Sequence, residues 1–234
     1  MAAKLAIAVP SKGRLKEQAA ELFSRAGMAP RAKGHERGYR GTLAGLDGVE
    51  VVYTSAAEIV HELKSGRVQL GITGEDLIRE TLADVDGSVE FLMPLGFGAA
   101  DVVVAVPDCW IDVECMADLE DVAAQFAAAH GRRLRVATKY MNLTRRFFAA
   151  NGVTGYRIVE SVGATEATPA AGTAELIVDI TTTGTTLRAN ALKVLGDGLI
   201  LKSRAHLFAS RAARWDAGAT KLRAAILEKL ASVA

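Results

Sequence analysis

The chain has 234 residues, half of them apolar, with 28 Lys and Arg against 27 Asp and Glu and a formal net charge of +1. That is enough apolar material for a well-filled core. It is too little net charge for a global field that would draw nucleic acid or an anionic membrane surface, so any anion must be held locally. The two cysteines, Cys109 and Cys115, lie six positions apart with no nearby histidine, which points to ordinary thiols rather than a zinc site or a disulfide framework.

At the N-terminus, "LAIAV" precedes Pro10 and a basic cluster; it is too short for a signal core or a membrane span, and reads as a buried strand of a cytoplasmic protein. A helical stretch from Leu15 to Ala26 follows. "VEVVY" leads to a helix at Ala56–Lys64, and "QLGIT" to one at Asp76–Leu82. "ADVVVAVP" then leads to Met116–Ala129, "RLRVAT" to Leu143–Ala150 and "ELIVDI" to Leu187–Leu192. Strands that read as continuous apolar runs are buried on both faces, as in a parallel sheet flanked by helices, so the fold class is α/β. Near the end, Leu222, Ile226, Leu230 and Val233 recur at helical spacing and predict an amphipathic closing helix over Trp215–Val233.

The segment "LMPLGFGAADVVVAVP" places a proline and two glycines between two strands, and a second return point falls at the threonine run near residue 183. Two α/β lobes are expected: residues 1–96 with 183–234 returning to them, and residues 97–182. Ligand is expected in a cleft between the lobes, since open α/β sheets bind at strand C-termini and domain junctions.

The stretch "DITTTGTTL", residues 179–187, carries the most chemistry. It follows a buried strand and opens the segment "TLRANALKVL", read as a helix, so its backbone N–H groups lie where unpaired donors and the helix dipole favour an anion. Gly184 allows close backbone approach, and Thr182, Thr183, Thr185 and Thr186 add hydroxyl donors. The lysine of a Walker A loop is missing. Asp179 places an acceptor beside the loop, suited to sugar hydroxyls or to magnesium on them, so a phosphorylated ribose matches both halves. A threonine-rich helix cap is the alternative reading.

Residues Glu166 to Leu187, "EATPAAGTAELIVDITTTGTTL", resemble the signature of the ATP phosphoribosyltransferase family: Glu166, Gly172 six residues on, Asp179 after an apolar strand, and Thr183 through Leu187. "AVPSKGRL", "GITGEDLI", "ATKYMNLTRRFF" and "LRANALKVL" extend the resemblance over most of the chain. Two positions depart from the family pattern, Ser55 where many members have Arg and Gln69 where they often have Asp. The resemblance implies a two-lobed fold of the type II periplasmic-binding-protein kind. It also implies a reaction in which ATP and phosphoribosyl pyrophosphate give N1-(5-phosphoribosyl)-ATP and pyrophosphate, with Mg2+ carried by phosphoribosyl pyrophosphate. This is the first step of histidine biosynthesis. Other readings of the same residues are a two-lobed anion-binding module and a phosphoribosyltransferase that uses a free base.

Adenine N1 has a lone pair and needs no deprotonation, so the protein's task is positioning and charge stabilisation as pyrophosphate leaves the ribose. Lys12 and Arg14 open a helix after the first strand and are candidates for polyphosphate contact. Arg37 matches by position an arginine that the family uses toward pyrophosphate, with Arg40 as its competitor. Lys139 ends the strand "RVAT", whereas Arg145 and Arg146 one turn on read equally as a solvated helix face. Glu166 and Asp179 as a pair could hold the ribose hydroxyls and steady positive character at the anomeric carbon. Asp76 reads as a helix cap, and the four histidines show no ligand spacing. The resemblance is to the short form of the family. It implies self-association and a hetero-oligomer with a regulatory subunit related to histidyl-tRNA synthetase.

Overall fold

The computed structural model describes residues 5–32 and 40–233, which form two compact units, Met1–Gly98 with Arg204–Ala234, and Ala99–Ser203. The first unit begins with β1 (Leu5–Pro10), α1 (Gly13–Arg25), β2 (Pro30–Ala32), β3 (Arg40–Leu43) and β4 (Leu46–Thr54). It continues with α2 (Ala56–Lys64), β5 (Leu70–Gly74), α3 (Glu75–Thr81), α4 (Val85–Ser88) and β6 (Val89–Pro94). The second unit contains β7 (Ala100–Pro107), α5 (Met116–His130), β8 (Leu134–Thr138), α6 (Met141–Ala150) and β9 (Tyr156–Glu160). A 3₁₀ turn (Thr165–Ala167), β10 (Leu176–Thr181), α7 (Thr185–Ala189) and β11 (Leu192–Ser203) complete it. The chain then re-enters the first unit through β12 (Ala205–Ser210) and α8 (Ala217–Ala231).

In the first unit, seven strands run in the order β2-β3-β4-β1-β5-β12-β6. The "LAIAV" run is continuous because both faces of β1 are covered. Leu5, Ile7 and Val9 pack with Phe23 of α1 and with Ile226 and Leu230 of α8, while Ala8 faces Ile59, Leu63 and Phe208. Ser55 accepts a hydrogen bond from the Glu58 N–H at 3.1 Å and starts α2 as its N-cap. Asp216 starts α8 in the same way, accepting from the Ala219 N–H at 2.7 Å, so the closing helix begins two residues later than Trp215. Gln69 ties β1 to β5, since its Oε1 accepts from the Ala6 N–H at 2.8 Å and its own N–H donates to the Ala6 carbonyl at 3.0 Å. Both positions that depart from the family pattern thus have local structural tasks.

In the second unit, five strands run in the order β11-β7-β10-β8-β9. β8 is parallel to β9 and to β10, whereas β7 is antiparallel to β10 and β11. Both sheets are therefore mixed, not purely parallel as the apolar runs predict; β1 is parallel to β4 and β5, while β12 runs antiparallel to β5 and β6.

Two expectations are corrected after the threonine run. The helix expected at Leu187–Leu192 is α7, which ends at Ala189. The Asn190 side chain donates to the Thr186 carbonyl at 2.9 Å and Ala191 takes φ 53°, a left-handed conformation that stops the helix. The following residues form the long strand β11, which holds its place by pairing with β7. For that reason the return to the first unit falls at Arg204, not at 183, and the first crossing follows Gly98. No helix among the described residues is long and apolar enough to cross a membrane.

Candidate active site

Register gathers the second unit's candidates at one edge of its sheet. Parallel pairing sets Ile177 beside Ala137 and Thr138 beside Glu160, so β8, β9 and β10 all end on the same side. Lys139 follows β8 directly and is exposed, with its Nζ 5.0 Å from the centroid of the buried Tyr140 ring. Asp179 lies two residues before the end of β10 and is partly buried, and the threonine run follows it. Glu166 sits in the 3₁₀ turn beyond β9.

That turn is built with some strain. Ala164 enters it at φ 49°, a left-handed conformation that costs a residue with a Cβ about 1–2 kcal/mol. Buried hydroxyls hold it in place: Thr165 donates to Ser161 Oγ at 3.0 Å, and the Ser161 N–H donates to the Thr138 carbonyl at 3.1 Å. Thr138 Oγ1 in turn accepts from the Tyr140 N–H at 2.8 Å. The ends of β8 and β9 are thereby tied to the backbone that carries Glu166.

The Asp179 carboxyl is shifted upward from the ordinary aspartate range. Burial is the main cause, and the charge of Glu166 adds to it. The Ile180 N–H, which donates to Asp179 Oδ1 at 2.8 Å, and the Lys139 ammonium pull the other way. The two carboxylates and the lysine thus form one electrostatic group.

The threonine loop is more self-satisfied than its sequence predicts. Gly184 caps α7 at φ 70°, a conformation suited to glycine, and its N–H donates to Thr181 Oγ1 at 2.9 Å. Thr183 and Thr185 share a hydroxyl hydrogen bond of 2.8 Å, Thr182 Oγ1 reaches the Ala99 carbonyl at 3.4 Å, and Thr186 is exposed. The nearest group to the Gly184 face is the guanidinium of Arg188: a Cβ on Gly184 would lie 2.9 Å from its NH1.

Sequence reasoning missed Arg188, although a basic residue four positions after the glycine on a predicted helix is a readable signal. It also missed Asp101. This acid is the second residue of β7 and pairs directly with Thr181, which puts the two side chains on the same face of the sheet as Asp179.

The remaining basic candidates belong to the first unit. Lys12 is the N-cap residue of α1 in extended conformation, Arg14 stands in the first turn, and both are exposed. No acid occupies that turn. Two cations at a helix N-terminus oppose the dipole, an arrangement that a bound anion relieves. Arg37 and His35 lie outside the described residues, and Arg40 pairs with Glu50 at 2.7 Å. Arg145 and Arg146 are exposed on α6. Asp76 is not a cap, because Gly74 holds that position and Asp76 is buried in the first turn of α3.

Solved structures share this fold. The ATP phosphoribosyl transferase (HisG:HisZ) complex from Thermotoga maritima contains a chain that superposes at a TM-score of 0.74 with 24% identity, over 98% of both chains. The substrate-binding protein of an amino acid ABC transporter superposes at a TM-score of 0.51 with 13% identity, over 98% of this chain and 92% of that one. The fold is α/β, of the type II periplasmic-binding-protein kind. The family described as HisG: ATP phosphoribosyltransferase matches residues 55–232. An ATP phosphoribosyltransferase of Rhodopseudomonas palustris (strain BisB18) is 60% identical over 232 residues, 99% of this chain and 71% of the relative. The chain belongs to the ATP phosphoribosyltransferase family and is a transferase of histidine biosynthesis.

Proposed function

We propose that the chain transfers the 5-phosphoribosyl group of phosphoribosyl pyrophosphate to N1 of the ATP adenine and releases pyrophosphate, using the group gathered at the edge of the second sheet. The observation that carries this reading is the convergence of the family signature there: Glu166 and Asp179 form one electrostatic group, and the threonine loop follows Asp179 on the same strand. The loop residues Thr182 to Thr186 bind the 5-phosphate. Asp179 and Glu166 accept hydrogen bonds from the ribose hydroxyls, and their negative charge stabilises the positive character that grows at the anomeric carbon as pyrophosphate departs. Lys139 opposes the upward shift that burial gives Asp179 and offers a cation to a phosphate oxygen. Lys12, Arg14 and Arg37 neutralise polyphosphate oxygens.

Among the described residues no group of three or more His, Cys, Asp and Glu is placed to hold a metal ion. Asp179 and Glu166 carry carboxylate oxygens, hard donors of the kind that would suit magnesium carried in by phosphoribosyl pyrophosphate. Magnesium held there would supply positive charge to the leaving group.

A regulatory subunit related to histidyl-tRNA synthetase, self-association and a cytoplasmic setting belong to the same proposal, as does the short form of the family. The Thermotoga neighbour, solved as a two-protein complex, supports the partner. The test of the reaction is pyrophosphate release from phosphoribosyl pyrophosphate and magnesium by the purified chain. Turnover with ATP and none with free purine or pyrimidine bases is expected; turnover with free bases alone would overturn the reading.

A further inference from the structure

We propose that Arg188 is the cation of the threonine loop: it binds the phosphate monoester that the loop receives, and holds the loop in shape before that anion arrives. The inference rests on the reading of residues 182–186 as the 5-phosphate site and adds a residue that the signature does not contain.

Arg188 stands four residues after Gly184, and its backbone N–H donates to the Gly184 carbonyl at 3.0 Å. Helical side chains tilt toward the N-terminus, so this spacing folds Arg188 back over the glycine. Its NH2 donates to the Thr183 carbonyl at 3.1 Å and to Thr185 Oγ1 at 3.4 Å. Its NH1 occupies the space that a side chain at position 184 would fill. Gly184 therefore has two tasks, to supply a left-handed turn and to leave room for a guanidinium.

The acceptors are neutral, and the bond to Thr185 Oγ1 is long. None of the ion pairs among the described residues includes Arg188. A guanidinium with five donors, resting on one carbonyl and one hydroxyl, has unused capacity. A phosphate dianion is the better acceptor, since charge-assisted hydrogen bonds are shorter and roughly twice as strong as neutral ones. An arginine in the last turn of a helix can also serve by facing the C-terminal carbonyls. This one points the other way, to the carbonyl and hydroxyl that precede and open α7. It supplies from the helix the positive charge that the loop, lacking a lysine after its glycine, does not carry in its own sequence.

Three variants of the full chain, Arg188→Gln, Arg188→Lys and Gly184→Val, separate the possibilities. The measurements are KM for phosphoribosyl pyrophosphate, KM for ATP, kcat, and competition by ribose 5-phosphate as a probe of the phosphate site alone. Arg188→Gln is expected to raise KM for phosphoribosyl pyrophosphate and weaken ribose 5-phosphate by about 10-fold or more, the scale of one hydrogen bond to a charged group, with KM for ATP little changed. Arg188→Lys should recover part of the loss, because the charge survives and the fork does not. The side chain is exposed, so both variants should fold. If Gly184→Val weakens ribose 5-phosphate while both Arg188 variants bind it normally, the loop holds phosphate without Arg188 and the inference fails. A fall in kcat with unchanged ribose 5-phosphate binding also overturns it, leaving Arg188 a merely structural residue. If none of the three variants affects the probe, the phosphate site lies elsewhere and the reading of the loop itself is lost.

Discussion

Arg135 and Glu175 are joined through backbone and side chain: the Glu175 N–H donates to the Arg135 carbonyl at 3.0 Å, and its carboxylate accepts from the Arg135 backbone N–H at 2.7 Å, from its Nε at 3.2 Å and from its NH2 at 2.6 Å. Arg132 adds a further bond at 3.0 Å, and Arg135 NH2 also donates to the Gly172 carbonyl at 2.8 Å. The pair fixes the start of β10 at the end opposite the candidate site, four residues before Asp179. Glu175 loses some solvation by burial, which raises its pKa, but the hydrogen bonds from Arg135 and Arg132 outweigh that and hold it at about 2.

The sign for stability follows from that lowered value. A carboxylate whose folded pKa lies below its unfolded one adds stability that is fully present above the unfolded value and lost as pH falls through the folded one. Glu175→Gln should therefore be less stable than the parent at neutral pH. The difference should shrink from roughly pH 4.5 downward and vanish near pH 2, the window between the ordinary value and the shifted one. Urea denaturation at several pH values measures it, and a constant difference across that range would refute it.

Asp179 has the opposite shift, upward, and must be ionised to stabilise positive charge. The acid limb of kcat/KM should consequently lie above the ordinary aspartate range. Removing the ammonium in Lys139→Ala should move that limb to higher pH, and removing the second carboxylate in Glu166→Gln should move it to lower pH. A pH–rate profile of the three proteins decides it; a limb that stays fixed in both variants would separate it from Asp179.

The buried hydroxyl pair behind Glu166 should matter to rate more than to binding. Thr165→Val keeps the shape of the side chain but removes the donor to Ser161. It should cost about 1 kcal/mol of stability and lower kcat severalfold, with KM for phosphoribosyl pyrophosphate changing less. Equal changes in kcat and KM would argue against a positioning task.

Arg14 and Arg145 offer a contrast between two exposed arginines. Arg14→Ala should lose about 2–4 kcal/mol of transition-state stabilisation if its guanidinium meets the polyphosphate, the scale of other preorganised donors. Arg145, exposed on α6 with a 3.4 Å contact to Asn142, should change kcat/KM little when truncated. Similar kinetics for the two variants would remove Arg14 from the site.

Local signals carried much of this structure. Apolar runs marked β1, β5, β7, β8 and β10, and the glycine within the threonine run marked the turn before α7. Long-range pairing carried the rest. "ALKVLGDGLILKS" has no strand signal stronger than its helical one, and becomes β11 because β7 offers it a partner. Asp101 reads as an ordinary polar residue at the start of an apolar run; only the register that sets it against Thr181 brings it to the site. Arg188 depends on Gly184 having no side chain, a relation across one helical turn that composition does not reveal.

The position of β12 between β5 and β6 also orders events during synthesis. The insertion of Ala99–Ser203 is one continuous stretch, so every strand of its sheet has left the ribosome before β12 appears. Until then the earlier sheet is split: β5 has an open edge, and β6, which among the described strands pairs only with β12, lacks that neighbour. Domains emerging from the ribosome fold as units once their chain is complete. The later-encoded unit is thus the first to be finished, and the N-terminal one waits for residues 205–210 to close its gap.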